Sequence, residues 1–198
     1  MNKLELDIYD FDKTIVPFDS GTLFVVYCMA HYPWCLITLP IVAVAGLLML
    51  LNIITFTQFK KTCFMFFPLI PKKRAVKKFW DKYESKVHTW FKDKNRFSVV
   101  ISASPDFLLS EIAQRLSFDK LICTRHNYKN GMIIGENCRD EEKVKRFFEE
   151  FDKSEVTVVD VYSDSIKHDR PIFSLAENQC YHIVDSEKIP FKYSDVYK

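Results

Sequence analysis

The sequence predicts an α/β protein: a parallel sheet with a helical, strongly apolar segment inserted after the first strand. Three observations lead there. The chain opens on a period-2 strand, it returns after Asn95 to alternating strand and helix patterns, and 40 residues without a single Asp, Glu, Lys or Arg lie between.

In the first strand Leu4, Leu6 and Ile8 alternate with Glu5, Asp7 and Tyr9, and the strand runs into Asp10-Phe11-Asp12-Lys13-Thr14. If the extension continues, Asp10 and Asp12 point to one side. Two carboxylates at a strand's C-terminal end are costly unless a cation or a proton sits between them. Such a pair can attack an electrophile, bind a metal or shuttle a proton; a solvated acidic turn is the plainer alternative.

The uncharged run extends from Ser20 to Phe59. A helix over Cys35 to Phe56 would reach about 33 Å, enough to cross a bilayer. A helix apolar on all sides is either deep core or embedded in lipid, and a chain of 198 residues has little with which to cover it. Eight basic residues follow between Lys60 and Lys82 against one acid, Asp81, which reads as a patch for anionic head groups or as a solvated helix face. Any site joining Asp10 to residues beyond Lys60 forbids a single crossing. The expectation is a hairpin dipping into one leaflet, or an even number of passes, with both ends on the cytoplasmic side; Pro40 and Gly46 are candidate bends. The segment Pro71 to Asp93 reads as one helix, with Ala75, Phe79, Tyr83, Val87 and Trp90 along a stripe.

Phe97 to Ile101 reads as a buried strand ending at Ser102-Ala103-Ser104-Pro105. Ser104 is a candidate N-cap, and Pro105 a candidate first residue, of a helix reaching about Ser117. Leu121 to Cys123 is a short strand, and Asn130-Gly131 signals a tight hairpin turn. A helix is expected from Asp140 to about Phe151, with Lys143 in its first turn, where a cation opposes the helix dipole and hints at an anion to neutralise. The strand Val156 to Val159 leads to Asp164 and Asp169, carboxylates at the same sheet edge as Asp10 and Asp12, which suits Mg²⁺. His182 reads as a packed core residue.

Composition narrows the classes. A net charge of +2 says nothing about nucleic acid, and with no basic repeat or nucleic-acid motif none is expected as a partner. Six cysteines without C-x-x-C spacing or partner histidines read as reduced thiols in a cytosolic setting. The charges in the first strand lead us to expect no signal peptide.

Four separated segments now match one pattern in order. Asp10 to Thr14 resembles an Asp-x-Asp-x-Thr first motif, and Val100-Ile101-Ser102 a hydrophobic strand ending in Ser or Thr. Lys143 is similar to a third-motif lysine, and Asp164 to Asp169 to a spaced acidic fourth motif. Together they resemble the haloacid dehalogenase-like hydrolases, close to the phosphoserine phosphatase branch (subfamily IB). The apolar insertion looks like that of phosphatidylglycerophosphatase C-like membrane phosphatases.

The resemblance implies a Rossmann-like core (residues 1–18 and 95–198) and a helical cap with a membrane-associated hairpin (residues 19–94). It implies a Mg²⁺-dependent phosphomonoester hydrolase at the cytoplasmic membrane face, acting on a lipid phosphate such as phosphatidylglycerophosphate. Asp10 would be the nucleophile and Asp12 the acid and base. Ser102, Lys143 and Thr14 would hold phosphate oxygens. Asp10, Asp12 (through its backbone carbonyl), Asp164 and Asp169 would form the metal site. A soluble phosphatase for a small metabolite such as phosphoserine, and a catalytically idle membrane-bound interaction protein, are the alternatives. The chain departs from the pattern at Lys13, where the family has Gly, and in the polarity of Glu5 and Asp7.

Overall fold

The structure, a computed structural model, describes residues 3–197. Strand β1 (Leu4–Tyr9) lies inside a six-stranded sheet of order β3-β2-β1-β4-β5-β6, built with β2 (Phe97–Pro105), β3 (Lys120–Thr124), β4 (Val156–Ser163), β5 (Gln179–Val184) and β6 (Glu187–Phe191). All pairings are parallel except β5 with β6. The order runs outward both ways from β1, so the crevice at the C-terminal ends of β1 and β4 is where such sheets bind ligands. The α/β class with a parallel Rossmann-like sheet is therefore met.

The polar residues of β1 have separate explanations. Glu5 stands at the exposed start of the strand. Asp7 is buried and accepts from Arg96 Nε at 2.8 Å, while Arg96 also pairs with Asp160. Asp160 sits in a bulge of β4, where Leu6 opposes Val158 but Ile8 opposes Val161, and its N–H donates to Asp7 Oδ1 at 3.2 Å. A buried charge is tolerable when paired in this way.

Between β1 and β2 the chain forms α1 (Ser20–His31), α2 (Leu39–Leu50), α3 (Phe56–Cys63), α4 (Lys72–Tyr83) and α5 (Thr89–Lys92). Asp19 caps α1, accepting from Thr22 N at 2.7 Å, and Thr55 with Gln58 forms a capping box on α3. The continuous helix expected over residues 35–56 is not formed. A 3₁₀ segment, Pro33–Thr38, passes into α2, and the chain turns at Leu51 before α3 returns. Pro40 lies in the first turn of α2, where a missing N–H is harmless. Gly46 does not bend α2, and a Cβ there would make only an ordinary contact with the Phe59 ring at 3.5 Å. Nor is Pro71–Asp93 one helix. It breaks after Tyr83 because Val87 is extended and His88 N donates to Ile15 O at 2.9 Å.

After β2 come α6 (Asp106–Arg115), α7 (Glu141–Glu150), α8 (Arg170–Phe173) and α9 (Tyr193–Val196). Two cores fill the layers. On one side of the sheet Leu6, Ile8, Val99 and Ile101 meet Phe147 and Ile172. On the other, Tyr9, Phe11 and Val100 share a core with Phe24, Phe66, Phe79 and Trp80 of the inserted helices. Trp80 Nε1 donates to Leu108 O at 2.8 Å, tying α4 to α6. The outer face of α4 carries Lys73, Arg74, Lys77 and Lys78 in solvent. Asn130-Gly131 makes a turn (Gly131 φ 75°) beside a lone His126–Ile133 bridge, rather than a strand hairpin. All six cysteines are free, and five are buried.

Candidate active site

β1 does not continue as a strand past Tyr9. Asp10 N still donates to Tyr162 O of β4 at 2.9 Å, but Phe11 O then accepts from the amides of Thr14, Ile15 and Val16, closing a single turn. Lys13 sits in that turn at φ 56°, the left-handed region in which a glycine would be unstrained. The turn still brings Asp10 and Asp12 onto one cavity of about 560 Å³, together with Lys143, Asp164 and Asp169.

Asp10, Asp164 and Asp169 each offer a carboxylate oxygen, all within 4.8 Å of one another. Lys143, presented by the first turn of α7, places Nζ 2.6 Å from Asp10 Oδ1 and 2.7 Å from Asp169 Oδ1. The anion that its position hinted at is thus this pair. Burial disfavours the Lys143 charge, but the two carboxylates outweigh it and hold the ammonium above its usual range. Burial pushes Asp10 up to about 8 against the pull of Lys143, with Asp169 and Asp12 adding to the rise. Asp164 is also raised, by burial and then by Asp169, with Lys13 and Lys143 opposing. Three carboxyl groups share one lysine, and the raised values of Asp10 and Asp164 report the cost of charging them together in a buried site. Its chemistry fits a hard divalent cation bound through oxygen.

Asp12 is held apart from that cluster. Its Oδ1 accepts from Ser20 N at 2.7 Å, and its Oδ2 accepts from the Ser104 hydroxyl. Its side chain does not join the three-carboxylate cluster. Burial, followed by the Asp19 charge, raises its pKa, and the bonds from Ser104 and Ser20 moderate the rise. A carboxyl biased toward its protonated form and fixed by two donors can deliver a proton.

Two expected phosphate ligands lie elsewhere. Thr14 is fully buried; its hydroxyl donates to Asp10 Oδ2 at 3.3 Å and accepts from Asp164 N at 2.9 Å, so it fastens the ends of β1 and β4 together. Ser102 is buried beneath the loop, and its Oγ accepts from Ser104 N at 3.0 Å. Neither lines the cavity, whereas Ser104 does. Ser104 does not cap α6: β2 runs through it to Pro105, which takes the cap position. A bulge between Ser102 and Pro105 turns the Ser104 hydroxyl toward Asp12. His182, half-buried in β5, contacts Asp164 O through Nε2 at 2.9 Å.

Sequence reasoning read Ser104 as a helix cap and missed Asn137 and Lys60 as site residues. Lys60, counted with the basic cluster, instead turns inward from α3, its Nζ donating to Ala103 O at 2.5 Å and Asn137 Oδ1 at 3.1 Å. The cavity's apolar lining comes from the insertion: Val25 and Met29 of α1, Leu39 and Val42 of α2, Phe56 and Phe59 of α3.

The site thus combines paired carboxylates at the switch point of a mostly parallel sheet, a buried lysine and further acids in the loop after β4. The chain belongs to the haloacid dehalogenase-like hydrolases, whose family model matches residues 8–174. No curated protein matches it by sequence. Known structures share the fold. A Bordetella pertussis Tohama I protein of unknown function superposes with a TM-score of 0.68 at 17% identity, over 87% of each chain. A phosphoserine phosphohydrolase-like protein from Francisella tularensis subsp. tularensis SCHU S4 gives 0.56 at 16%, over 94% of this chain and 90% of its own. An apo phosphoserine phosphatase gives 0.52 at 15%, over 90% and 85%.

Proposed function

We propose that the protein is a phosphomonoester hydrolase for a lipid phosphate, working at the cytoplasmic face of a membrane, with residues 19–94 acting as the cap over a catalytic core of residues 1–18 and 95–198. The observation that carries the reading is the cavity itself. Its acidic floor is roofed by apolar side chains from α1, α2 and α3, and α2 also leaves Val44, Leu47 and Leu50 exposed at 59, 57 and 74%. Only Ala45 of α2 is buried. An apolar face of this kind marks an interaction surface, and the helical run Pro33–Leu50 that ends with α2 has, by length and composition, what a membrane-embedded segment needs. The exposed basic residues of α4 suit anionic head groups.

In the mechanism Asp10 attacks phosphorus, forming an aspartyl-phosphate as the ester P–O bond breaks, and Asp12 gives its proton to the departing oxygen. Asp12 then takes a proton from water as that water attacks phosphorus. The Asp10–phosphorus bond breaks, and inorganic phosphate is released. Lys143 keeps Asp10 aligned and offsets the charge of the incoming phosphoryl group. Asp10, Asp164 and Asp169, with the Asp12 backbone carbonyl, would hold Mg²⁺. Bound there, it would supply positive charge to offset that of the phosphoryl group. Thr14 keeps the strand ends in register, and Ser104 orients Asp12.

The test is phosphate release in detergent with Mg²⁺ from a panel of lipid phosphates, phosphoserine and other small esters. The expected result is a preference for lipid phosphate of about tenfold or more, worth roughly 1.4 kcal/mol. Activity should be lost in Asp10→Asn, and lost with EDTA until Mg²⁺ is restored. A preference for phosphoserine would overturn the lipid assignment. Equal release by wild type and Asp10→Asn would overturn the mechanism.

A further inference from the structure

We infer that His182 is a positioning residue for the cation site: its ring, reaching over from β5, fixes the main chain of Asp164 and so sets the affinity of the three-carboxylate cluster for a divalent cation. The inference rests on the cation reading of that cluster and concerns how one of its ligands is held.

The three carboxylates are not anchored alike. Asp10 and Asp169 each take an ion pair from Lys143, at 2.6 and 2.7 Å, and each is also bound by a hydroxyl, from Thr14 and Ser163 respectively. Asp164 is a different case. It is half-buried, and among the described residues no side chain bonds its carboxylate. Its bonds fall on its main chain instead: its N–H donates to Thr14 Oγ1 at 2.9 Å, and its C=O accepts from His182 Nε2 at 2.9 Å. A carbonyl can only accept, so Nε2 is the nitrogen that donates.

The peptide groups on both sides of the Asp164 Cα are thus pinned, one from the turn after β1 and one from β5. With the backbone held, the side chain has only its own torsions left, and its carboxylate stands within 4.8 Å of those of Asp10 and Asp169. Register explains how His182 comes to be there. It lies opposite Ser163 in the parallel β4–β5 pairing, one residue short of Asp164 and one strand over. The ring therefore has to span only about one inter-strand spacing, roughly 4.8 Å. A histidine serving the core alone would not commit a nitrogen to the loop that carries the acids.

The arrangement matters because Mg²⁺ demands near-octahedral geometry with oxygens at about 2.0–2.1 Å, so a ligand that drifts binds poorly. Removing a group that holds a metal ligand from behind typically weakens metal binding by about 10- to 100-fold. Asp164 is the ligand most dependent on such support, since the other two share Lys143.

The test measures Mg²⁺ binding to the substrate-free full chain by calorimetry, and main-chain amide exchange by NMR without metal. In His182→Phe the Kd for Mg²⁺ should rise about tenfold or more. The Asp164 amide should exchange about tenfold faster, while those of Val158 and Val161 within β4 keep their wild-type rates. His182→Gln, whose Nε2 can donate to the same carbonyl, should recover most of both. In turnover, the Mg²⁺ concentration giving half-maximal rate should rise with Kd, and kcat at saturating Mg²⁺ should stay within about threefold. Unchanged Mg²⁺ affinity in His182→Phe overturns the inference, whatever the exchange rates do. Faster exchange throughout β4, or a Gln variant no better than Phe, overturns it as well and makes His182 a packing residue. A wild-type protein that binds no Mg²⁺ overturns the cation reading itself, and the Asp164 exchange rate then still decides whether His182 holds the loop.

Discussion

Lys13 holds a backbone conformation, φ 56°, that costs a side-chain-bearing residue about 1 kcal/mol, and it does so between the two aspartates of the first motif. Its charge helps to hold Asp164 down, which gives a lysine a role there that glycine lacks. Asp12 yields a sharper prediction. In Asp12→Asn the amide cannot deliver a proton, so kcat for alkyl phosphates should fall by about 10²- to 10⁴-fold. The pre-steady-state burst of p-nitrophenol from p-nitrophenyl phosphate, whose leaving group departs without protonation, should persist while its steady-state turnover slows with the loss of the base; a burst slowed as much as the release of an alkyl alcohol would remove Asp12 from the acid role. His126 governs stability rather than chemistry. Its ring lies 5.5 Å from Phe64 and 5.4 Å from Phe107, with Nδ1 3.0 Å from Thr124 O. Burial lowers its pKa to about 4, from the 6.5 of an open chain. The unfolded chain therefore takes up the proton first. The His126 contribution is complete above about pH 6.5 and is lost as pH falls toward 4, by on the order of 3 kcal/mol. Denaturant melts from pH 7 to 4.5 should show that decline in wild type and a flatter profile in His126→Phe.

Among the elements, Gly131 joins the insertion to the loop after β3. A Cβ there would lie 2.4 Å from Phe64 O and 2.7 Å from Phe67 Cβ, at a positive φ as well. Gly131→Ala should destabilise by about 2 kcal/mol or more, read from the denaturant midpoint, and an unchanged midpoint would show the contact to be loose. Elements with a clean period were legible in the sequence: β1, the strand core of β2, β4 and α7. Asp10, Asp164 and Lys143 could be found because each sits where a strand ends or a helix begins. The misread elements depended on distant partners. The stripe Ala75, Phe79, Tyr83 has helical spacing, yet the helix stops because Ile15 O claims His88 N. Ser104 looked like a cap because it precedes a proline, and only the bulge against β3 turns it to Asp12. Lys60 gave no signal beside Lys61, since its inward course depends on the packing of α3. β6 escaped notice because, as an exposed edge strand carrying Pro190, it lacks a buried face.

Taken whole, the molecule exposes a basic face on α4 and an apolar face on α2 that no element among the described residues covers. If that apolar side meets lipid, the triple variant Val44→Glu, Leu47→Glu, Leu50→Glu should abolish co-sedimentation with anionic vesicles. Hydrolysis of soluble p-nitrophenyl phosphate should stay within about twofold of wild type, since exposed substitutions far from the site change folding little. Retained sedimentation would move the contact surface elsewhere. The parallel sheet and its inserted helices were readable from element order alone. Their joint core was not, because pattern reading treats each amphipathic face separately. That joint core has a kinetic consequence. Phe11 meets the Trp80 ring at 5.8 Å, and Phe24 and Phe79 continue the same aromatic mass, so the roof cannot swing away as a rigid flap without bringing several rings into water. The helices that give no ring to that mass are α2 and α3. On the lipid reading, the two pieces of a cleaved ester then travel apart, the alcohol sideways into the bilayer and the phosphate outward into solution, and neither has to wait for the other to leave.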